Sequence, residues 1–377
     1  MLLRSPPSPH LAFLSPSNPT SLRSIFVHSA SARMSKPTTD PTMLENFPKP
    51  LSPPLPAKSK SVELSRAMTA TAASSLFKLS RSDVVFEDEW LIVVNKPQGV
   101  YCERVLASVP DVSDESVRSA GVSEIDEIDC VTAFKKDEIN QFESDKYSAF
   151  ELGKNLSSGK RVWELHLANR LDRDTSGAMI ITKSNKVAAK LVKAFTEHKV
   201  KKTYIALCVG VAPGWETVTV RSGHGRSKFG AWRVYSVSDV GRSLPGGSVV
   251  RDMETSFQVL SVNGKGCVNE SRKDEEKCLV VEEKSSVDND IRSDEILIRA
   301  SPQSGRTHQI RLHCQYLGIP IRGDVKYEGV HDWKGVTYEA HKLHAESLSL
   351  EHPVTGIPIM FHAPLPLWAS NALESAA

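Results

Sequence analysis

The longest apolar runs in this chain are only strand-sized, such as Leu91 to Val94, and each is closed by a turn or a charge. A membrane-spanning helix needs ~20 consecutive apolar residues, and none can be built here. Trp90 to Pro97 reads as a buried strand stopped by a proline turn, and Gly177 to Thr182 as another. Tyr204 to Val209 and Thr255 to Leu260 have the same character. Between them Ser184 is placed to cap a helix with Val187, Leu191 and Phe195 on one face and Lys186, Lys190 and Lys193 on others. Strands interleaved with few helices predict a mixed α+β sheet rather than a doubly wound one. The missing Gly-rich phosphate loop after the first strand argues against a nucleotide-binding fold.

Charge is informative only when divided along the chain. The 377 residues carry 47 basic and 45 acidic side chains, a net +2, which alone says little about partners. Residues 1–39 hold no acid, four bases (Arg4, Arg23, Arg33, Lys36), nine serines and six prolines. That is the composition of an organellar transit peptide, addressed to a chloroplast or mitochondrion. The alternatives are a low-complexity leader without an address and a product started at Met34, which would stay in the cytoplasm or nucleus. Residues 41–60 read as a Pro-rich linker, so 1–60 is expected to be disordered. An ordered domain is expected over 61–377, opening with a short amphipathic helix marked by Val62, Leu64, Ala67 and Met68. Two acid-rich stretches, 103–160 with 13 acids against 7 bases and 263–295 with 10 against 6, are expected to be solvated insertions in that domain.

The six cysteines have neither zinc-ribbon nor disulfide-framework spacing, and read as reduced thiols. His308 and His313 lie five apart, and His341 and His344 three apart. Neither pair has the i, i+4 spacing of a His-Glu-x-x-His helix, so no metal is expected.

Two clusters concentrate chemistry. Asn169 to Gly177 packs Arg170, Asp172, Arg173 and Asp174 ahead of a Thr-Ser-Gly turn; in an extended segment Asp172 and Asp174 would share one face. Ser304 to His313 places Arg306, His308, Gln309 and Arg311 in a segment that Ile310, Leu312 and Cys314 mark as partly buried. Arginines in such segments usually have a carboxylate partner.

In these clusters the chain resembles the RluA-type pseudouridine synthases, enzymes that isomerise uridine within RNA. The family's Arg-Leu-Asp-Arg-x-Thr-Ser-Gly motif is met from Arg170 to Gly177, and its Gly-Arg-Thr-His-Gln-Ile-Arg element from Gly305 to Arg311. A Lys-Pro-x-Gly turn (Lys96 to Gly99), a Lys-x-Tyr strand (Lys202 to Tyr204), Gly323-Asp324 and Leu343-His344-Ala345 follow the family's order. Asn169, Ser304 and Val325 depart from its commonest residues, which bears on substrate choice more than on activity.

The resemblance implies a single catalytic α+β domain with a mixed, mainly antiparallel sheet and a cleft across it. It also implies that Asp172 acts beside ribose C1′, that Arg311 pairs with Asp172, and that Tyr204 packs on the uracil. Spacing alone does not separate Asp172 from Asp174. No cofactor is needed, because the C1′–N1 bond is exchanged for C1′–C5 without redox chemistry or a group donor. Residues 169–204 carry nine bases and three acids, so Arg170, Arg173, Lys199, Lys201, Lys202, Arg306, His308 and Gln309 are the expected RNA contacts. A monomer working on ribosomal, transfer or messenger RNA is expected. Two other readings are an RNA-binding or RNA-folding protein on this fold without turnover, and a hydrolase using Asp172 and Asp174 as an acid/base pair.

Overall fold

The apolar runs become the middle of a thirteen-stranded sheet. The computed structural model describes residues 47–57, 59–109, 164–266, 277–284 and 294–375, all within one unit, Asn46–Ala377. The strands are β1 (Val84–Glu87), β2 (Leu91–Lys96), β3 (His166–Leu167), β4 (Ser176–Thr182), β5 (Lys201–Gly210), β6 (Thr217–Arg226), β7 (Trp232–Tyr235), β8 (Arg251–Val262), β9 (Lys265–Gly266), β10 (Lys277–Val280) and β11 (Asp294–Pro302). A separate hairpin, β12 (Asp332–Trp333) and β13 (Val336–Thr337), precedes β14 (Leu343–Glu351) and β15 (Pro358–His362). The helices are α1 (Ser59–Leu76), α2 (102–109), α3 (Asn185–Thr196), α4 (Gln309–Tyr316) and α5 (Leu367–Glu374).

The spatial order is β1-β2-β4-β14-β5-β11-β8-β6-β10. Pairing is antiparallel except for β4 with β14 and β10 with β6, so the sheet is mixed and mainly antiparallel. At the β4–β14 seam a Cβ on Gly177, whose φ is +112°, would lie 2.2 Å from the Ala345 carbonyl oxygen. Only glycine permits that approach, and it fixes the strand that follows the Asp172 cluster. Helix α3 is capped by Ser184, whose hydroxyl accepts from the Val187 amide at 3.4 Å, and buries Val187, Ala188 and Leu191 against β4 and β14. On the other half α4 packs Ile310, Leu312 and Cys314 against β5, β6, β8 and β11. Each cluster of chemistry therefore lies beside its own core, on opposite sides of the β14–β5 centre.

Three expectations need correction. Residues 47–57 are not a free linker: the Leu51 amide donates to Val234, and the Ser52 hydroxyl accepts from Arg233 at 2.8 Å and from the Val234 amide at 3.2 Å. Helix α1 is longer than expected, and the two largest apolar residues that marked it are not what docks it. Leu64 and Met68 face solvent, while Arg66, Ala70 and Ser74 are buried. The acid-rich stretches are also not wholly solvated. Their first residues, 103–109, belong to α2, with Val105 and Val109 in a core cluster; Val281 is fully buried and β10 pairs with β6. Composition averaged over the stretch hides these short apolar pieces. Residues 110–163, 267–276 and 285–293, and the leader expected over 1–39, lie outside the described residues. Among the described residues no helix is long and apolar enough to cross a membrane, no cluster suits a metal ion, and Cys102, Cys208, Cys278 and Cys314 are free thiols.

Candidate active site

The segment from Asp172 to Thr175 is a turn closed by the Thr175 amide on the Asp172 carbonyl at 3.1 Å, not an extended run. The turn sends its two carboxylates to different partners. Asp174 takes both Arg173 donors, Nε on Oδ1 and Nη2 on Oδ2, each at 2.6 Å. Asp172 faces α4, where Arg311 Nη1 donates to its Oδ2 at 2.7 Å. Among the described residues nothing bonds to Asp172 Oδ1, and this side chain keeps 28% of its surface exposed at the cleft.

The turn is clamped by the Lys-Pro-x-Gly element. Lys96 Nζ donates to the carbonyls of Pro97, Val100 and Arg173 at 2.8 Å each, the Gly99 amide donates to Arg173 at 3.0 Å, and Gln98 donates to Asp174 and His341 carbonyls. All three ammonium hydrogens of a fully buried lysine are thereby satisfied, as burial demands. Burial still lowers the Lys96 ammonium to about 8, which leaves it charged at neutral pH.

Arg311 is held as firmly from behind. Its Nε and Nη2 fork onto Asp324 at 2.7 and 2.8 Å, and its guanidinium lies 5.0 Å from the Tyr327 ring centre. Arg311 is 6% and Asp324 1% exposed. A bidentate carboxylate fixes the orientation of the guanidinium as well as its charge. Burial alone would push Asp172 toward protonation; the positive charge that His308, Arg311 and His341 carry in acid outweighs it and holds its carboxyl well below the ordinary range. His308 Nε2 is 3.7 Å from Asp172 Oδ2, but burial first and Arg311 second push that imidazole down to about 3. It is neutral at pH 7, so Arg311 is the cation that counts. The His308 backbone sits at φ 59°, a left-handed conformation uncommon for a side-chain-bearing residue, at the start of α4, and its Nδ1 shares a hydrogen bond with the Tyr327 hydroxyl at 2.7 Å. Tyr204, on β5, lines the same cleft; burial and the Asp172 charge keep its hydroxyl protonated.

The cleft has a volume of about 970 Å³ and is walled by both clusters and by α3. Of the expected RNA contacts, Arg170 and Arg306 line the cleft, and Lys199 and Lys201 are exposed between its lining residues His198 and Lys202, with at most one surface ion pair each. Arg170 meets Glu103 at 2.6 Å, Lys199 meets Glu197 at 2.9 Å, and Arg306 meets Asp252 at 2.7 Å. Three others are committed inside the protein. Lys202 Nζ donates to the Ser304 carbonyl, Arg173 is spent on Asp174, and Gln309 accepts from the Ser304 hydroxyl and the Arg306 amide while donating to Glu254 and Thr255. They shape the turns that carry the site instead of reaching outward. Two of the three departures from the family pattern likewise bond inside the protein: Asn169 Oδ1 accepts from the Ile180 amide at 2.8 Å, and the Ser304 hydroxyl donates to Gln309 Oε1 at 2.7 Å.

Sequence reasoning gave no role to Asp324, although Gly323-Asp324 was among the family features, and it missed Arg66. The latter reaches from α1 to donate to the Gly323 carbonyl at 2.8 Å and to the Tyr338 carbonyl, beside the residue that orients Arg311. No local signal announces such a contact, because its partners lie more than 250 residues away.

A carboxylate kept ionised beside a protonated tyrosine, in a wide cleft with a basic rim, suits an enzyme that stabilises positive character on a polyanionic substrate. Residues 90–316 match the family model described as RNA pseudouridylate synthase. The chain is 55% identical over 337 residues to "RNA pseudouridine synthase 1" of Oryza sativa subsp. japonica, covering 88% of this chain and 86% of that one. It is also 55% identical over 330 residues to the Arabidopsis thaliana protein of that name, covering 86% and 88%. To "Ribosomal large subunit pseudouridine synthase C" of Pasteurella multocida it is 28% identical over 309 residues, 81% and 71%. The chain belongs to the RNA pseudouridylate synthase family, and its activity is the isomerisation of uridine to pseudouridine in RNA.

Proposed function

We propose that Asp172 is the carboxylate that works at ribose C1′, with its ionisation set by Arg311 and its free Oδ1 turned to the sugar. The C1′–N1 bond breaks, the uracil turns, and C1′–C5 forms. The C5 hydrogen leaves as a proton and N1 gains one, so atoms balance without an added reactant. Asp172 supplies negative charge where the sugar becomes electron-poor, as nucleophile at C1′ or as base for a sugar proton. Tyr204 packs on the uracil and, being protonated, serves as a donor and not as a phenolate base.

The observation that carries this reading is the Asp324–Arg311–Asp172 chain of charge-assisted bonds, which supports Asp172 over Asp174. A uridine in structured RNA must leave its stack at a cost of about a few kcal/mol, and the rim cations Arg170, Lys199, Lys201 and Arg306 offset it through phosphate contacts. Ribosomal RNA is the first substrate to examine, since a bacterial relative is named for the large ribosomal subunit. The acid-free first 39 residues support delivery to an organelle, which a fluorescent fusion of residues 1–60 tests. The decisive experiment incubates wild-type protein and Asp172→Asn with total cellular RNA and maps pseudouridine at single-base resolution. New sites with wild type and none with Asp172→Asn support the proposal. New sites with both refute it, and Asp174→Asn then becomes the variant to test.

A further inference from the structure

Beyond the cleft, β6 and β7 run past the end of the neighbouring strand β8 as a two-stranded arm. Residue pairing continues from His224 with Val234 to Arg226 with Trp232, whereas β8 begins at Arg251, opposite His224. The arm's base is tied to the turn that leads into α4: His224 Nε2 lies 3.0 Å from the Thr307 carbonyl oxygen, next to His308. Burial pushes that imidazole down to about 4, so it is neutral and donates to the carbonyl. Its ring stacks on Trp232 at 4.7 Å and 15°, and the Arg226 guanidinium lies 5.4 Å from the Trp232 ring centre. The tip is ordered by its own bonds: Ser227 to Ala231 and Gly230 to Ser227 at 2.8 Å, and Arg226 Nε to Gly230 at 3.1 Å.

On this fixed tip stands Phe229, 85% exposed, with Lys228 Nζ 5.0 Å from its ring centre. A lone exposed apolar residue needs no explanation. An aromatic held outward by an ordered turn, flanked by Arg226 and Lys228 and carried on an arm anchored beside His308, does. Flat aromatic faces among cations suit nucleobases on a phosphate chain: the ring stacks on an unpaired base and the cations meet the neighbouring phosphates. Phe229 stands five positions on from His224, the first two in strand and the rest in the turn, a reach of at most ~17 Å, so the base it meets lies a few nucleotides from the target uridine.

We propose that Phe229 is a stacking platform for an unpaired RNA base flanking the modified uridine, making the β6–β7 arm a second recognition point outside the catalytic cleft. The proposal rests on RNA being the substrate but not on Asp172 being the reacting group. Binding is therefore measured with wild-type and Asp172→Asn proteins alike, using a fluorescein-labelled RNA stem-loop with a uridine-rich loop and, for comparison, a blunt RNA duplex. Removing one stacked base is worth roughly a tenfold loss of affinity or somewhat more. Phe229→Ala is expected to weaken stem-loop binding by about that factor, leave duplex binding and the thermal midpoint unchanged, and be rescued by Phe229→Trp but not by Phe229→Leu. Equal affinity of all variants, or rescue by leucine as complete as by tryptophan, overturns the platform. An equal loss on duplex and loop also overturns it, since stacking needs an open base.

Discussion

The inner and outer parts of the cleft use the same residue types for different ends. Inside, Lys96 spends all three ammonium hydrogens on carbonyls, and Arg311, Arg173 and Lys202 are each bonded to carboxylates or a carbonyl of the protein. At the rim, Lys199, Lys201, Arg170 and Arg306 are exposed or lie in single surface pairs. Buried cations without partners are costly, so the inner set is locked and can only tune its neighbours. The rim pairs, worth about 0–1 kcal/mol each, are readily exchanged for phosphate. On the proposed function, the inner set is therefore expected to control the rate and the rim the affinity.

The sharpest way to break this division is Asp324→Asn. It removes the fork behind Arg311 without touching the cleft, and a guanidinium displaced by about 1 Å is expected to cost on the order of 100-fold in kcat. RNA affinity should stay within a few-fold; a comparable loss of affinity would show that Arg311 also holds RNA. Arg66→Ala acts one step further back, through the Gly323 carbonyl. A fall of roughly tenfold in kcat with KM unchanged is expected, and Arg66→Lys should recover part of it.

The pH profile comes next. Asp172 is held below the ordinary carboxylate range, and His308 loses its proton near 3. Each lowered group keeps its neutral-pH form down to its own depressed value. Single-turnover rates should therefore be flat from about pH 5 to pH 7, below the value of about 8 near which the buried Lys96 ammonium behind the turn loses its proton, and a limb near the ordinary imidazole value of about 6.5 would mean that His308 titrates in the cleft. The smallest effect is at the rim. Lys199→Gln with Lys201→Gln should weaken RNA binding several-fold, lower the salt slope by roughly 0.7 per lost contact, and leave the saturated rate unchanged.

The sheet was legible because its strands are long apolar runs: β2, β4, β5 and β8 fall where the pattern put them, as does α3 with its serine cap. The two clusters pointed to one site because both are dense in charge, and the family resemblance linked Asp172 with Arg311. The partners that bind through backbone carbonyls were not legible. Lys96, Arg66 and Lys202 look like ordinary surface cations in sequence, and only the fold supplies the carbonyls that bury them. The same blindness put Gln309 at the RNA, when its amide is fully occupied between α4 and β8. The fate of Asp174 depended on a turn, since an extended backbone would have placed it beside Asp172.

The most direct test of the division is Arg311→Met, with RNA affinity and single-turnover pseudouridine formation measured on the same folded sample. Removing one partner of a buried pair costs about 3–5 kcal/mol of stability, so both are read below the variant's own melting transition, with Arg311→Lys as a better-folded companion. The account predicts that conversion is lost in Arg311→Met while affinity stays within a few-fold of wild type. Conversion at the wild-type rate, or affinity lost with the saturated rate intact, would contradict it.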